Sequence, residues 1–186
     1  MDYNSIMDIA LGFQDGLENA SGIQEKAYFI PSSYIETWGK PAADGTTAES
    51  LVTIENDHIL KEGKAPIALD VLTDKSGVNG SMDGEILSSV FQATLETFMP
   101  QLSAKNLGSA GAIKNYRGIV LFKRTFGGDW LQIGSEEILA RPIPGGTFGT
   151  GVGPTGEPGI RINFQGFSHM PLFVYKGEFP APAPGG

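Results

Sequence analysis

The chain has 186 residues and a formal net charge of −8, and this length is sufficient for one domain with a sizeable core. The acidic balance argues against ordinary nucleic-acid binding, which depends on lysine and arginine side chains that neutralise phosphates. Because the sequence contains no cysteine, a disulfide scaffold, a thiolate metal site and a cysteine nucleophile are excluded.

The first segment, residues 2–18, is expected to form a short helix. Its apolar residues Ile6, Ala10, Phe13 and Leu17 recur every three or four positions and make one apolar stripe. Such a helix either caps the domain or acts as an arm that docks on a neighbouring subunit. The N-terminus lacks the regions of a signal peptide, and no stretch is long enough to span a bilayer, so we expect no membrane partner.

The next segments are expected to be strands separated by polar loops. Residues 27–38 form the first strand region, which is either an edge strand or broken at Pro31, because proline cannot donate to a sheet ladder. Residues 39–50 are small and polar and predict a loop of the kind that often serves binding or assembly. Two further strands are expected over residues 51–54 and 66–73.

The middle of the chain is harder to interpret. Residues 74–84 contain three glycines and an Asn-Gly pair, which predicts a loop. Residues 86–99 alternate apolar and polar side chains, as in a half-buried strand, although some of the apolar residues also fall at helical spacing. We favour the strand, because the neighbouring segments are rich in turn formers. Residues 101–113 are the best candidate for a short internal helix, weakened by two glycines.

The most apolar stretch is residues 118–135, GIVLFKRTFGGDWLQIGS. It predicts two strands joined by a turn at Gly127 and Gly128, because adjacent glycines supply the positive φ of a tight hairpin turn. Strands this apolar are expected to be packed against other parts of the protein on both faces of their sheet. The rest of the chain is therefore expected to pack around this hairpin.

After the hairpin we expect a glycine- and proline-rich loop over residues 142–159 and strands over residues 160–167 and 172–175. No repeat or linker divides the chain. The expected parts are an N-terminal arm of residues 1–21, a single mainly β domain of residues 22–179, and a Pro/Gly-rich tail of residues 180–186.

Two motifs fail to predict a cofactor or metal site. Residues 151–156, GVGPTG, match the G-x-G-x-x-G string, but the prolines that follow leave no helix to bind a phosphate, and a flexible loop is the better interpretation. Four acidic residues do not have the spacing of an EF-hand and are interpreted as a solvated acidic rim. They are Asp70, Asp74, Asp83 and Glu85.

No catalytic residue is predicted either. His58 and His169 have no serine or acid at a recognised catalytic spacing. Glu136 and Glu137 are adjacent, whereas two hydrolytic carboxylates must flank a cleft, and neighbours on a strand point to opposite faces. We therefore expect a protein that is not an enzyme and has no cofactor, metal or catalytic site.

Charge is distributed unevenly along the chain. Residues 44–85 contain nine acidic residues and three lysines, whereas residues 105–124 contain five basic residues and no acidic one. Acidic and basic regions on one molecule allow copies to associate head to tail, which gives rings or filaments. The alternative is an ordinary charged surface without such a role.

Several stretches carry a resemblance to a known family. From about residue 22 to residue 179, the order of segments resembles that of the tail tube (major tail) proteins of tailed bacteriophages, particularly those of phages and prophages of Bacteroidetes-type hosts. The matching stretches are, in chain order, GIQEKAYFIPSSYIETW, SMDGEILSSVFQATLETFMP, YRGIVLFKRTFGGDWLQIGS and GIRINFQGFSHMPLFVYKGEF. The likeness is one of layout and includes no signature motif.

The resemblance implies a β-sandwich or half-open barrel with one short flanking helix, assembled as hexameric rings stacked into a tube. DNA would pass through the lumen without specific binding, and a negative wall would repel its phosphates. The implied location is the virion tail, after synthesis in the bacterial cytoplasm, and the implied partners are further copies of the chain and other tail proteins. The inner strands would pair between copies, which would satisfy otherwise exposed sheet edges.

Three alternatives remain open. One is another virion component, such as a head–tail completion or capsid-decorating protein. A second is a carbohydrate-binding β-sandwich in which Trp38, Trp130 and Tyr175 form a stacking platform. The third is an enzyme, for which no acid–base or nucleophile set is found.

Overall fold

The structure is a computed structural model, which describes residues 21–43 and 45–181. The predicted N-terminal helix of residues 2–18 lies outside the described residues, as does most of the C-terminal tail.

The described residues form a mainly β protein with several sheets and one α-helix, which confirms the predicted fold class at that level. In chain order the elements are β1 (Ile23–Pro31), β2 (Ile35–Thr37), β3 (Thr53–Ile54), β4 (Ile59–Leu60), β5 (Ile67–Asp70), β6 (Gly77–Glu85), β7 (Ser88–Pro100), α1 (Ala104–Ile113), β8 (Gly118–Arg124), β9 (Trp130–Ile133), β10 (Arg141–Ile143), β11 (Phe148–Gly149), β12 (Gly159–Ser168) and β13 (Phe173–Tyr175).

Two larger sheets and one small one contain these strands. The first has the order β3-β13-β9-β8-β1-β5, in which β13 and β3 are parallel and the other neighbours antiparallel. The second has the order β10-β12-β7-β6, with β11 also paired to β12. Strands β2 and β4 form a separate pair.

The predicted hairpin of residues 118–135 lies in the middle of the first sheet as β8 and β9. Residues 119–122 are all buried. Val120 and Phe122 belong to one hydrophobic cluster, whereas Ile119 and Leu121 belong to the other. The side chains of β8 therefore alternate between two apolar cores, as expected for a strand covered on both faces. Gly127 and Gly128 have the predicted positive φ, at 96° and 101°.

The larger cluster joins residues of both large sheets. Leu95 of β7 and Phe164 of β12 share this cluster with Phe29 of β1. The rings of Phe29 and Phe164 have centroids 5.2 Å apart, so side chains of the two sheets are in direct contact. Ile113 at the end of α1 is fully buried in the same cluster, which attaches the helix to the core.

Several other predicted elements are confirmed. The first strand region is broken at Pro31, after which a short 3₁₀ turn over Ser32–Tyr34 leads into β2. Residues 86–99 lie mainly in β7, as the favoured strand interpretation required. The internal helix is α1, and Ser103 caps it by accepting a hydrogen bond from the Asn106 N–H at 3.1 Å.

The prediction of a loop over residues 74–84 is wrong. Most of this segment is β6, a nine-residue strand that pairs with β7 along its whole length. Its last seven residues are exposed, so its sequence lacks the alternation of apolar and polar residues that predicts a strand. Its conformation is determined by the backbone hydrogen bonds that it forms with β7. The predicted loop of residues 142–159 likewise contains the short strand β11 and the end of β10.

Candidate assembly interface

The outer edge of the second sheet is formed by β6. One side of this strand pairs with β7, and within the described residues no strand pairs with its other side. The sequence of β6, GVNGSMDGE, contains neither lysine nor proline, which are common protections of a free edge. Charged residues occur only near its end, at Asp83 and Glu85, so the uncharged part, residues 77–82, is suited to pairing with another strand.

The hairpin formed by β6 and β7 projects beyond the rest of its sheet. Pairing between β7 and β12 ends at Phe91 and Ser168, whereas pairing between β6 and β7 continues to Glu85 and Ser88. Residues 83–90 therefore extend past the adjacent strand, and among the described residues they form strand pairs only with each other.

The turn of this hairpin consists of two large apolar residues, Ile86 and Leu87, which we call the hairpin tip. Ile86 is 92% exposed and Leu87 is fully exposed. Leu87 also has a φ of 70°, a conformation that is unfavourable for a residue with a bulky side chain. Met82, 65% exposed, extends the apolar surface along β6. An isolated subunit thus keeps apolar and strained residues in water.

The opposite edge of the same sheet carries an apolar groove, which we call the lateral groove. It lies between α1 and the strands β10, β11 and β12 and has a volume of about 500 Å³. Phe148, 80% exposed, lies in it. The residues that line it include Ala110, Lys114, Pro142, Phe148, Ile160 and Ile162.

His58 is a structural residue of the smaller core. It is 3% exposed, and both ring nitrogens have partners: Nδ1 accepts a hydrogen bond from the Gly39 N–H at 3.1 Å, and Nε2 lies 2.8 Å from the Gln132 Oε1. The ring also stacks on Tyr175. Burial is the main reason why the pKa of His58 is lowered, although the hydrogen bond to Gln132 opposes this shift.

The hydroxyl group of Tyr175 connects His58 to the C-terminal segment. It accepts a hydrogen bond from the His58 N–H at 3.1 Å and donates one to the Glu178 carbonyl at 2.5 Å. Asp57 accepts from the Glu178 N–H at 2.7 Å. Burial raises the pKa of Tyr175. These contacts join the connection before β4 to the chain after β13.

The other candidate residues are not brought together. Glu136 and Glu137 lie in a bend and not on a strand, and Glu136 pairs with Lys40 at 2.5 Å. The hydrogen bond with Glu136 raises the pKa of Lys40. His169 lines a separate surface depression together with Glu137 and Met170.

The acidic rim is spread over several elements. Asp70 is on β5, Asp74 is in a 3₁₀ turn, and Asp83 and Glu85 lie near the hairpin tip. Among the described residues, no group of three or more histidine and acidic side chains is placed to hold a metal ion. Residues 151–156 form turns without a following helix, in agreement with the loop interpretation of the glycine motif.

The proposed stacking platform is wrong. Tyr175 is fully buried and Trp38 packs edge-on against His58. Trp130 is half-buried, lies opposite Tyr175 on the neighbouring strand and packs against Tyr28 and Phe179. All three aromatic residues contribute to the smaller cluster, and because Tyr175 is buried they do not form an exposed platform.

Among the ion pairs of the described residues, one joins the acidic region to the basic region: Lys105 and Asp70 pair at 3.4 Å. Among the ion pairs of the described residues, none uses Lys114, Arg141 or Arg161. These ion pairs therefore do not neutralise the positive charges beside the lateral groove.

The sequence interpretation missed the hairpin tip, because the apolar residues 86 and 87 were assigned to the start of the following strand. The available signal was the dipeptide Asp83-Gly84, which is typical of a hairpin turn, although the turn itself lies at residues 86 and 87.

Comparison with protein families, with curated proteins and with solved structures finds no match to this chain. In the part of the chain that the structure describes, no helix has the length and apolar character needed to cross a membrane.

Proposed function

We propose that this protein is a structural subunit of a bacteriophage tail tube, assembling into stacked hexameric rings around a lumen that conducts DNA. The observation that carries the proposal is the open edge of β6, nine residues long and without lysine or proline. A second copy that pairs there would satisfy its free backbone groups. The resemblance to tail tube proteins supplies the type of assembly.

The proposed fold of the subunit is a β-sandwich made of the two large sheets, with α1 at its flank. The contact between Phe29 and Phe164 supports this packing, as does the shared cluster of buried residues from both sheets. In a ring, the second sheet of one subunit would continue into that of the next. Such a continuous sheet has no free edges, which removes the main liability of an isolated subunit.

The overall charge agrees with a conduit for DNA. A net charge of −8 gives a surface that repels phosphates and does not retain them. The proposed partners are further copies of this chain and other tail proteins, and the proposed location is the virion tail, after synthesis in the host cytoplasm.

Electron microscopy of the purified protein, together with light scattering across a concentration series, tests the proposal. We expect rings or tubes whose abundance rises with concentration. A protein that remains strictly monomeric at high concentration would contradict the proposal. Closed rings that never stack would favour the alternative of a head–tail completion protein, since only the assembly geometry separates the two.

A further inference from the structure

We propose that residues 7–13, which we call the donor segment, form a strand that pairs with the open edge of β6, and that copies assemble by exchanging this strand. The inference rests on the proposed function and names the segment through which one copy pairs with the next. Strand addition is a common way in which a sheet edge binds a peptide. Backbone hydrogen bonds hold the added strand, and its alternate side chains enter a groove.

The donor segment has the alternation of a strand with one apolar face. Its sequence, MDIALGF, places a large apolar residue at every second position, with small or acidic residues between them. A period of two is that of a strand, and the segment contains neither lysine nor proline. Its length matches the uncharged part of β6, residues 77–82. The apolar residues are Met7, Ile9, Leu11 and Phe13.

This interpretation differs from the helix expected over residues 2–18. At about 100° per residue, Met7 and Leu11 would lie roughly 100° and 140° around that helix from Ile6, which belongs to its apolar stripe. Two large apolar side chains would therefore lie off the stripe. In a strand they share one face with Ile9 and Phe13. An open edge that can accept a strand favours the second pattern.

The inner face of the β6–β7 hairpin provides a groove for these side chains, which we call the edge groove. Ala93 of β7 belongs to the larger cluster, and Phe91 has the same face because it lies two residues earlier on the strand. Met82 of β6 lies directly opposite Phe91 and shares this face. The groove has a volume of about 350 Å³, and its apolar lining includes Val78, Met82, Phe91, Pro171 and Leu172.

Pairing with β6 would cover apolar surface that is exposed in the described residues. Met82 is 65% exposed and Phe91 is half-buried. A strand added beside β6 continues the inner face of the sheet, so its apolar side chains would lie over the edge groove. Removing both surfaces from water is the main favourable term in protein association.

The chain enters the described structure close to the start of β6. A methyl group on the Cα of Gly22 would lie 3.8 Å from the Cγ2 of Thr73. Thr73 precedes Gly77, the first residue of β6, by four residues, which span at most about 14 Å. Residues 14–21 can span roughly 26–29 Å. The donor segment therefore reaches its own β6, where Phe13 would lie at the Gly77 end and the pairing would be antiparallel.

The same contacts form within one copy and between two copies. Exchange of an identical element between protomers is a low-cost route to association, because no contact is lost. In dilute solution the short connection favours pairing with the same copy, since it raises the effective concentration of the segment. At higher concentration the donor segment of one copy pairs with β6 of the next. This contact joins two different surfaces, so it repeats from copy to copy and gives rings or filaments.

Disulfide trapping in the full-length chain tests the pairing. Because the sequence contains no cysteine, two introduced cysteines are its only thiols. Ala10 would lie on the outer face of the donor segment, and Asn79 and Ser81 lie on the outer face of β6. Paired residues on one face of a sheet are within disulfide range.

Under mild oxidation we expect a disulfide in at least one of the variants A10C/N79C and A10C/S81C. It should form within monomers in dilute solution, and it should give a ladder of covalent oligomers at concentrations at which the wild type assembles. The control is A10C/S33C, whose second cysteine lies in the 3₁₀ turn after β1, at the end of β1 opposite to Gly22. The control should form at least about tenfold less disulfide.

The outcomes separate the inference from the proposed function. Wild-type rings without a disulfide in either test variant would overturn the inference and leave the proposed function standing. Wild-type rings with disulfides only inside single chains would overturn the exchange. Disulfides inside single chains of a strictly monomeric protein would overturn the exchange and the proposed function. A monomer without disulfides would overturn both the pairing and the proposed function.

Two single substitutions distinguish the strand from the helix. Leu11→Asp places a charge on the apolar face of the strand but off the stripe of the helix, whereas Ala10→Asp does the reverse. Amide hydrogen exchange of residues 77–82 reports the pairing, because a second strand protects the amides on the outer side of β6. Mass spectrometry should reveal exchange at least about tenfold faster in Leu11→Asp and unchanged exchange in Ala10→Asp. Faster exchange in Ala10→Asp alone, or equal exchange in both variants and the wild type, would overturn the inference.

Discussion

Two antiparallel hairpins of this chain differ in what covers their side chains. The β8–β9 hairpin lies inside the first sheet, and residues 119–122 are buried on both faces. The β6–β7 hairpin lies at the edge of the second sheet, and its end at residues 83–90 projects with an apolar tip. The first therefore stabilises the subunit, whereas the second leaves apolar surface available to a partner. Substitutions in the two hairpins should accordingly affect different measurements.

The largest expected effect lies in the buried hairpin. Phe122→Ala should lower the free energy of unfolding by about 3–5 kcal/mol, because it creates a cavity in the larger core. Urea unfolding of the subunit measures the change. Met82→Ala on the exposed hairpin is the matched comparison, and we expect it to change the same quantity by less than about 0.5 kcal/mol. Equal losses for both variants would remove the distinction between the hairpins.

The hydrogen bond between Gln132 of the buried hairpin and His58 is expected to contribute less to the free energy of unfolding. Gln132→Leu should destabilise the subunit by about 1–3 kcal/mol, because the buried Nε2–H of His58 would lose its acceptor. Gln165→Leu, at a half-buried position of β12, serves as the control and should cost less than about 0.5 kcal/mol. Chemical unfolding of both variants decides the comparison, and equal costs would argue against a special role for Gln132.

The burial of His58 also predicts that the free energy of unfolding depends on pH. The pKa of His58 in the folded state is lower than its ordinary value of 6.5, so the unfolded chain binds the proton more readily. The free energy of unfolding should therefore fall as pH decreases below about 6.5 towards the folded pKa, with no contribution from His58 above that range.

The variant His58→Gln, which cannot titrate, isolates this contribution. Urea unfolding between pH 7.5 and 5.5 should reveal that the stability advantage of the wild type over His58→Gln shrinks as the pH falls. An advantage that stays constant over this range would contradict the buried, neutral state of His58.

The smallest expected effect has the opposite sign and lies in the exposed hairpin. Leu87→Asn should raise the free energy of unfolding of the monomer by roughly 0.5–1 kcal/mol, because asparagine tolerates a positive φ better than leucine does. The same change should weaken self-association, since it removes one apolar residue of the tip. Thermal unfolding at low concentration and sedimentation at high concentration measure the two effects. A variant that loses both stability and association would indicate a structural role for the tip.

The two hairpins also differ in how far their structure could be predicted from the sequence. The β8–β9 hairpin has an unbroken apolar run and a Gly-Gly turn, and both signals are local. Strand β7 was recognisable from its alternation. Strand β6 was predicted as a loop, because exposed residues give no periodicity and because glycine and asparagine have low strand propensity. Its conformation depends on pairing with β7, which local propensity does not report.

The candidate site could be predicted from the sequence only in part, for the same reason. The role of His58 depends on Gln132 and Tyr175, which are 74 and 117 residues away in sequence, so inspection of neighbouring residues could exclude a familiar catalytic spacing but could not identify the buried network. The lateral groove combines α1 with strands that follow it by about 30 to 50 residues. Such a surface exists only after the sheet and the helix have packed together.

The parallel pair of β13 and β3 has a consequence for folding. Val174 lies opposite Thr53, so β13 must insert between β9 and β3 after nearly the whole described chain has been synthesised. Contacts between residues this distant in sequence are costly to form early, and proteins rich in them fold in milliseconds to seconds. At a translation rate of about 5–20 residues per second, the edges of β9 and β3 that β13 later covers would stay unpaired for several seconds. The completion of the first sheet therefore waits until β13 has been synthesised.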